Sequence, residues 1–257
     1  EGLRPQWLTR AVDSGMLAAM ELRCITFDLD DTLWECAPVI RRAEHAFHAW
    51  LAAHYPRITH RLDAEALIRH RQEWFSPRAH RYPDLTVLRK EWLQELARQF
   101  DYDDTLVEPG FQVFWEGRNQ VELFEAVVET LEHLTRHYRV GAITNGNADV
   151  HHIGIGGFFD FVVTASRTGV AKPAAEIFTA ALDEAGVAAG EALHVGDDPE
   201  RDVKGAARVG MRTAWVNTRL APWPGGPYPD LMVRGVGELP GQLAALGWHR
   251  AMAPAGD

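Results

Sequence analysis

The sequence predicts an α/β protein: a doubly wound parallel sheet with an all-helical insertion after its first strand. Three observations support this. Five short apolar segments lack polar alternation, as strands do when a sheet is covered on both faces. They are "RCITFDLD" (23–30), "RVGAITN" (139–145), "FVVTAS" (161–166), "ALHVGDD" (192–198) and "RTAWVN" (212–217). Helical patterns separate the later segments, and that alternation builds a parallel sheet. Between residues 36 and 122 the rhythm breaks into one helical pattern after another, with no convincing strand.

Taken in order, residues 1–20 read as an N-terminal extension, and the first strand follows. Pro38 suits a helix start, with Ile40, Ala43, Phe47, Trp50 and Leu51 on one face. Asp84 can cap a second helix carrying Leu85, Leu88, Trp92, Leu96 and Phe100 at three- and four-residue steps. The tryptophans of this interval are read as core rather than as a platform for a ligand ring. Ala126, Val127, Thr130, Leu131 and Leu134 mark a helix before the second strand; Ile177, Phe178, Ala181 and Leu182 mark one before the fourth. "NTRLAPWPGGPYPD" is a Pro/Gly-rich loop, and "LMVRGVGELPGQLAAL" can add an edge strand and a closing helix. The domains expected are a Rossmann-like core (21–35 and 123–257) and a helical module (36–122).

Composition narrows the function classes. The chain has 257 residues, 46% apolar and 24% charged, an ordinary globular mixture. A net charge of −10 argues against bulk binding of nucleic acid or anionic membrane, though not against a small anion held by local cations. No run approaches the roughly 18 apolar residues of a membrane span, and "MLAAM" is too short for a signal-peptide core. Cys24 and Cys36 form no disulfide framework, which with the rest points to the reducing cytoplasm. Lysine occurs at only three positions, Lys90, Lys172 and Lys204, against 23 arginines. The oligomeric state is not readable.

The chemistry gathers where strands end, which is where open α/β sheets bind ligands. The first strand runs out into Asp28, Asp30 and Asp31; the second into Thr144 and Asn145; the fourth into Asp197 and Asp198, with Asp202 a helical turn on. Lys172 follows the third strand in "GVAKP". Singly, each has a plain reading. Asp198 before Pro199 is a good helix N-cap, "TNGN" could be a tight turn, and His151 and His152 suit a solvated helix start. A calcium loop opening at Asp28 fails, because Leu33 and Val39 stand where Gly and Glu are needed. Together, carboxylates from adjacent strands make a hard oxygen site suited to Mg²⁺, with hydroxyl, amide and ammonium donors opposite. That is equipment for phosphoryl transfer.

The ordered pattern "DLDDT", "TNG", "KP", "GDDPERD" resembles the four motifs of the haloacid dehalogenase superfamily of phosphohydrolases, across roughly residues 23–217. The helical insertion is similar to that superfamily's C1-type cap. "ITNGNA" and "HVGDDPERDVKGAARVGMRTAWV" further resemble bacterial phosphatases acting on 5-amino-6-(5-phosphoribitylamino)uracil or flavin mononucleotide. The resemblance implies Asp28 as nucleophile, forming an aspartyl-phosphate, and Asp30 as the residue that protonates the leaving alcohol and later deprotonates water. It implies Mg²⁺ held by Asp28, the backbone carbonyl of Asp30 and Asp197, with Asp198 and Asp202 open. Thr144, Asn145 and Lys172 would bind the phosphoryl group, Lys172 also keeping Asp28 ionised. Asp31 is expected to cap the following turn.

Three rivals are weighed. A 2-haloacid dehalogenase on the same fold needs no Mg²⁺ and no proton donor, and in that branch the position of Asp30 is not acidic. A phosphomutase would use the same residues. A phospho-accepting binding module would place its acidic pair and acceptor on different strands. Arg78, His80, Arg81, Arg89 and Arg118 are the cations of the insertion that could meet a second anionic or polar group of the substrate, each weighed against a solvated helix face. The expected partner is a small phosphorylated molecule.

Overall fold

The computed structural model describes residues 21–248; the extension expected at residues 1–20 lies outside them. The chain begins with β1 (Cys24–Phe27), whose four residues are all buried. Five helices follow: α1 (Cys36–His54), α2 (Pro56–Thr59), α3 (Ala64–Phe75), α4 (Leu85–Gln99) and α5 (Val107–Arg118). Strands and helices then alternate: α6 (Val127–Thr135), β2 (Arg139–Thr144), α7 (Val150–Ile153), β3 (Phe161–Thr164), α8 (Ala165–Thr168), α9 (Ala175–Ala185) and β4 (Ala192–Gly196). The chain closes with a wide π-type turn (Pro199–Lys204), α10 (Gly205–Arg208), β5 (Arg212–Val216), β6 (Leu231–Val233) and α11 (Leu239–Ala245).

The six strands are all parallel in the order β3-β2-β1-β4-β5-β6. The winding reverses beside β1: β2 pairs with one edge from Cys24↔Arg139 onward, and β4 pairs with the other from Cys24↔Ala192. A crevice at the carboxyl ends of β1 and β4 is the geometric result. Alternation divides the core between two faces. Ile25, Phe27, Val140 and Val195 pack with α6 and α11 residues such as Leu131 and Leu243. Cys24, Ile143 and Val163 pack with Ile177, Phe178 and Ala181 of α9. Gly141 is required by contact: a Cβ there would lie 2.3 Å from the Phe161 ring.

Helices α1–α5 bury their own cluster, including Phe47, Trp92, Leu93, Leu96 and Phe114. Asp84 caps α4 by accepting from the Thr86 and Val87 N–H groups. Helices α1 and α5 pack so closely that a Cβ at Gly117 would sit 2.9 Å from Ala43 Cα. Both ends of the insertion therefore return together to the tip of β1.

Candidate active site

β1 stops at Phe27, where the carboxylates begin, because the chain turns at Asp31 (φ 59°) and closes with Asp31 N–H to Trp34 O at 2.7 Å and Leu33 N–H to Leu29 O at 2.8 Å. Asp28 still donates its N–H to Val195 O at 2.8 Å, which fixes it between β1 and β4. The Asp31 carboxylate accepts from Cys36 N–H at 3.0 Å and caps the start of α1. Asp30 lies between these two. Its Oδ1 accepts from Trp34 Nε1 at 2.9 Å and its Oδ2 from Arg118 Nη2 at 2.6 Å.

Lys172 braces two strands. Its Nζ donates to Asp28 Oδ1 at 2.5 Å and to Ile143 O at 2.8 Å, and it ion-pairs with Asp202 Oδ1 at 2.7 Å. Asn145 locks the Lys172 backbone: Oδ1 accepts its N–H at 2.7 Å, and Nδ2 donates to its C=O at 3.1 Å. Asn145 thus positions the lysine. Thr144 accepts from Gly146 N–H at 3.0 Å, leaving its own O–H to donate. The point a Cβ on Gly146 would occupy lies 2.9 Å from Asp30 Oδ2, 3.2 Å from Arg118 Nη2 and 3.4 Å from Thr144 Oγ1. Three polar side chains converge there, and only glycine leaves room.

The fourth strand supplies the remaining acids. Asp198 caps the wide turn, accepting from the N–H groups of Glu200 and Arg201. That turn brings Asp202 back so that its Oδ2 accepts from Asp198 N–H at 3.0 Å. Asp202 Oδ1 lies 3.2 Å from His194 Nε2, and His194 Nδ1 is 2.9 Å from Thr26 Oγ1. An ionised Asp202 requires the Nε2–H tautomer, so the Thr26 hydroxyl donates to Nδ1. Sequence reasoning missed His194, because a histidine inside a strand carries no motif.

Carboxylate oxygens of Asp28, Asp197 and Asp202 lie within 4.8 Å of one another, and the Thr32 hydroxyl spans Asp28 Oδ2 (3.3 Å) and Asp197 Oδ1 (3.5 Å). Three carboxylates face one ammonium. Burial pulls the Lys172 ammonium down, but Asp202 and Asp28 outweigh it and hold it above the ordinary lysine range. Burial raises Asp202 as well, yet Lys172 and His194 keep it well below the usual carboxylate range. Asp28 is raised well above that range, first by burial and then by the Asp202 charge, against Lys172. Lys172, shared with Asp202, offsets only part of what raises Asp28. Asp197 is pushed up to about 7 by burial and by Asp202, Asp31 and Asp198. An all-oxygen donor set with uncompensated negative charge fits a divalent cation such as Mg²⁺. The carboxylate of Asp30 is not in this cluster, being held by Trp34 and Arg118.

The insertion's cations fall into different settings. Arg118 is 2% exposed and paired with Asp30. Arg89 is buried against Glu44 at 2.5 Å and over the Phe114 ring, with Arg71 Nε also 2.8 Å from Glu44, so neither a solvated face nor an open substrate contact describes it. Arg78 stacks on Trp74, Arg81 is exposed, and the His80 side chain lies outside the described set.

Comparison with known proteins agrees with this geometry. The profile of the haloacid dehalogenase-like hydrolases matches residues 22–210. The chain is 32% identical over 199 residues to the 5-amino-6-(5-phospho-D-ribitylamino)uracil phosphatase YigB of Escherichia coli, covering 76% of this chain and 83% of the relative. It is 29% identical to a phosphoserine phosphatase of Thermus thermophilus, covering 85% and 98%. Among solved structures, a 2-haloacid dehalogenase from Pseudomonas syringae superposes with TM-score 0.81 at 37% identity, covering 87% of this chain and 99% of that one. With the profile spanning every strand-end residue from Asp28 to Asp202, the chain belongs to the haloacid dehalogenase-like hydrolases and is an enzyme of that family.

Proposed function

We propose that the protein is a Mg²⁺-dependent phosphomonoester hydrolase working through an aspartyl-phosphate on a small phosphorylated metabolite, with α1–α5 as a cap (36–122) over a core of 21–35 and 123–257. The observation that carries this reading is the convergence of Asp28, Asp30, Thr144 and Lys172 at the ends of β1 and β2, beside an oxygen-only acid cluster. Asp28 and Asp197, with the backbone carbonyl of Asp30, would hold the cation, and Asp202 completes the cluster. When bound, the ion neutralises charge on the phosphoryl oxygens and favours ionised Asp28.

The protein's own groups do the rest. Asp28 attacks phosphorus, its new O–P bond forming as the ester O–P bond breaks, and Asp30 gives its proton to the departing alkoxide. Thr144 O–H and Lys172 Nζ hold the phosphoryl oxygens during transfer. Asp30, now a carboxylate, takes a proton from water as that oxygen attacks phosphorus, releasing inorganic phosphate and restoring Asp28. Lys172 keeps its proton throughout.

The ribitylaminouracil phosphatase among the relatives supports a flavin-pathway substrate, either that compound or flavin mononucleotide, and the absence of a disulfide suits the cytoplasm. The Pseudomonas syringae structure favours a second reading, dehalogenation of a 2-haloacid. Asp30 and the acid cluster weigh against it, since halide departure needs neither proton nor metal. The test is release of phosphate from flavin mononucleotide, the ribitylaminouracil phosphate, phosphoserine and sugar phosphates, and of chloride from 2-chloropropionate, with and without Mg²⁺. Metal-dependent phosphate release is expected. Chloride release without phosphate release would overturn the phosphatase reading.

A further inference from the structure

We propose that Trp34 and Arg118 form a clamp that positions Asp30 for proton transfer, so that the two ends of the helical insertion jointly set the general acid; this rests on the phosphatase reading. Trp34 stands two residues before α1, and Arg118 is the last residue of α5. Each takes one oxygen of the same carboxylate, Trp34 Nε1 to Oδ1 at 2.9 Å and Arg118 Nη2 to Oδ2 at 2.6 Å. Two donors on two different oxygens fix the plane of the carboxyl group, and each oxygen keeps a lone pair for the proton it must carry.

The clamp is backed by packing. Asp31 caps α1 through Cys36 N–H, and Ala43 of α1 lies flush against Gly117 of α5. Arg118, next to Gly117, then returns to Asp30, one residue from Asp31. The contacts close a ring through the loop, α1 and α5. Trp34 and Arg118 are buried, at 0% and 2% exposure. Among the described residues Arg118 Nη1 has no hydrogen-bond partner, while Nη2 pairs with Asp30. A guanidinium buried against an acid two residues from Asp28 is placed for that acid. On the other side, Asp30, Arg118 and Thr144 close together on the backbone of Gly146, where a residue without a Cβ lets them meet.

Neither clamp residue exchanges a proton in this scheme: the Asp30 O–H bond breaks as the leaving oxygen's O–H bond forms, and both clamp donors keep theirs. They are positioning residues. Their loss harms esters whose leaving group needs protonation more than esters whose leaving group departs as a stable anion.

The experiment measures kcat and KM for an alkyl phosphate and for p-nitrophenyl phosphate in the wild type, Arg118→Ala, Arg118→Lys and Trp34→Phe, each checked by thermal melting. Arg118→Ala is expected to lose kcat by about 10²-fold on the alkyl ester, the low end of general acid help, and far less on the aryl ester. Arg118→Lys should recover part of the alkyl rate, and Trp34→Phe should show the same bias more weakly. Equal losses on both esters, or no loss, would overturn the clamp while leaving the phosphatase reading intact. If Arg118→Ala does not fold, the Arg118→Lys and Trp34→Phe ratios decide by the same criterion. A wild type that releases no phosphate from either ester would overturn the phosphatase reading and the clamp with it.

Discussion

Stability in Mg²⁺ should depend on pH through Asp197. Its carboxyl is pushed up to about 7 by burial and neighbouring acids, from an ordinary value of 3.8. A raised carboxyl pKa means that the folded, metal-free protein holds a proton that the unfolded chain releases. This group's contribution is therefore fully present below about pH 4 and is lost as pH rises through about 7. The cation needs the carboxylate, so it competes with that proton. At about pH 5, two pH units below the folded value, its apparent affinity falls by up to about 100-fold, or about 2.7 kcal/mol at about 1.4 kcal/mol per decade. Asp197 keeps some contact with water, which reduces this to roughly 1.4 kcal/mol, a tenfold effect. Asp28, also raised, acts in the same direction. His194, lowered by burial, loses stability as pH falls through about 6.5, the opposite sense. It contributes to both arms and cancels when melts in saturating MgCl₂ are compared with melts in EDTA. At roughly 2–4 °C per kcal/mol for a chain of this size, the Mg²⁺-induced rise in Tm should be about 3 °C or more larger at pH 8 than at pH 5. Asp197→Asn should flatten that difference. An equal rise at both pH values, or none at either, would refute the placement of the cation.

Asp28→Asn is nearly isosteric and should abolish turnover, by on the order of 10⁴-fold or more, while the melt in EDTA stays near wild type; substantial Mg²⁺-dependent phosphate release by this variant would contradict covalent catalysis. Lys172→Met leaves Asp28 and Asp202 buried without their cation, and urea unfolding in EDTA should show a loss of about 3–5 kcal/mol. Gly141→Ala drives a methyl into the Phe161 ring and should cost about 1–3 kcal/mol; an unchanged urea midpoint would show that the ring moves freely.

Much of the fold was legible because its strands are buried on both faces. "RVGAITN" and "RTAWVN" each overran their strands by one residue, and "RCITFDLD" lost its last three residues to a turn that brings Asp28, Asp30 and Asp31 to the tip of β1. Single-sequence periodicity registers apolarity and cannot see where a strand's last ladder bond falls. The site residues were legible as polar types at strand ends, and Asp31 caps its turn as expected. Their partners were not. Arg118 is 88 residues from Asp30, and its pairing follows from how α5 lies on α1, which no local pattern encodes. Arg89 looked like a candidate for substrate until Glu44, 45 residues earlier, proved to be buried beside it. Asn145, read as a phosphate contact, grips the Lys172 backbone, a pairing across 27 residues that no local pattern encodes.

The central strand also governs the order of assembly during synthesis. β1 pairs with β2 across roughly 115 residues of chain and with β4 across roughly 168. At about 5–20 residues per second, "CITF" leaves the ribosome roughly 6–23 seconds before its first partner strand exists. Loop closure over such spans is costly in entropy and is recovered only on pairing. The five helices made in that interval pack mainly on one another, so they can condense early and hold both ends of the long loop near β1. An insertion placed there shortens the effective search for β2, and its interior mutations should lower the yield of nascent folding before they alter catalysis.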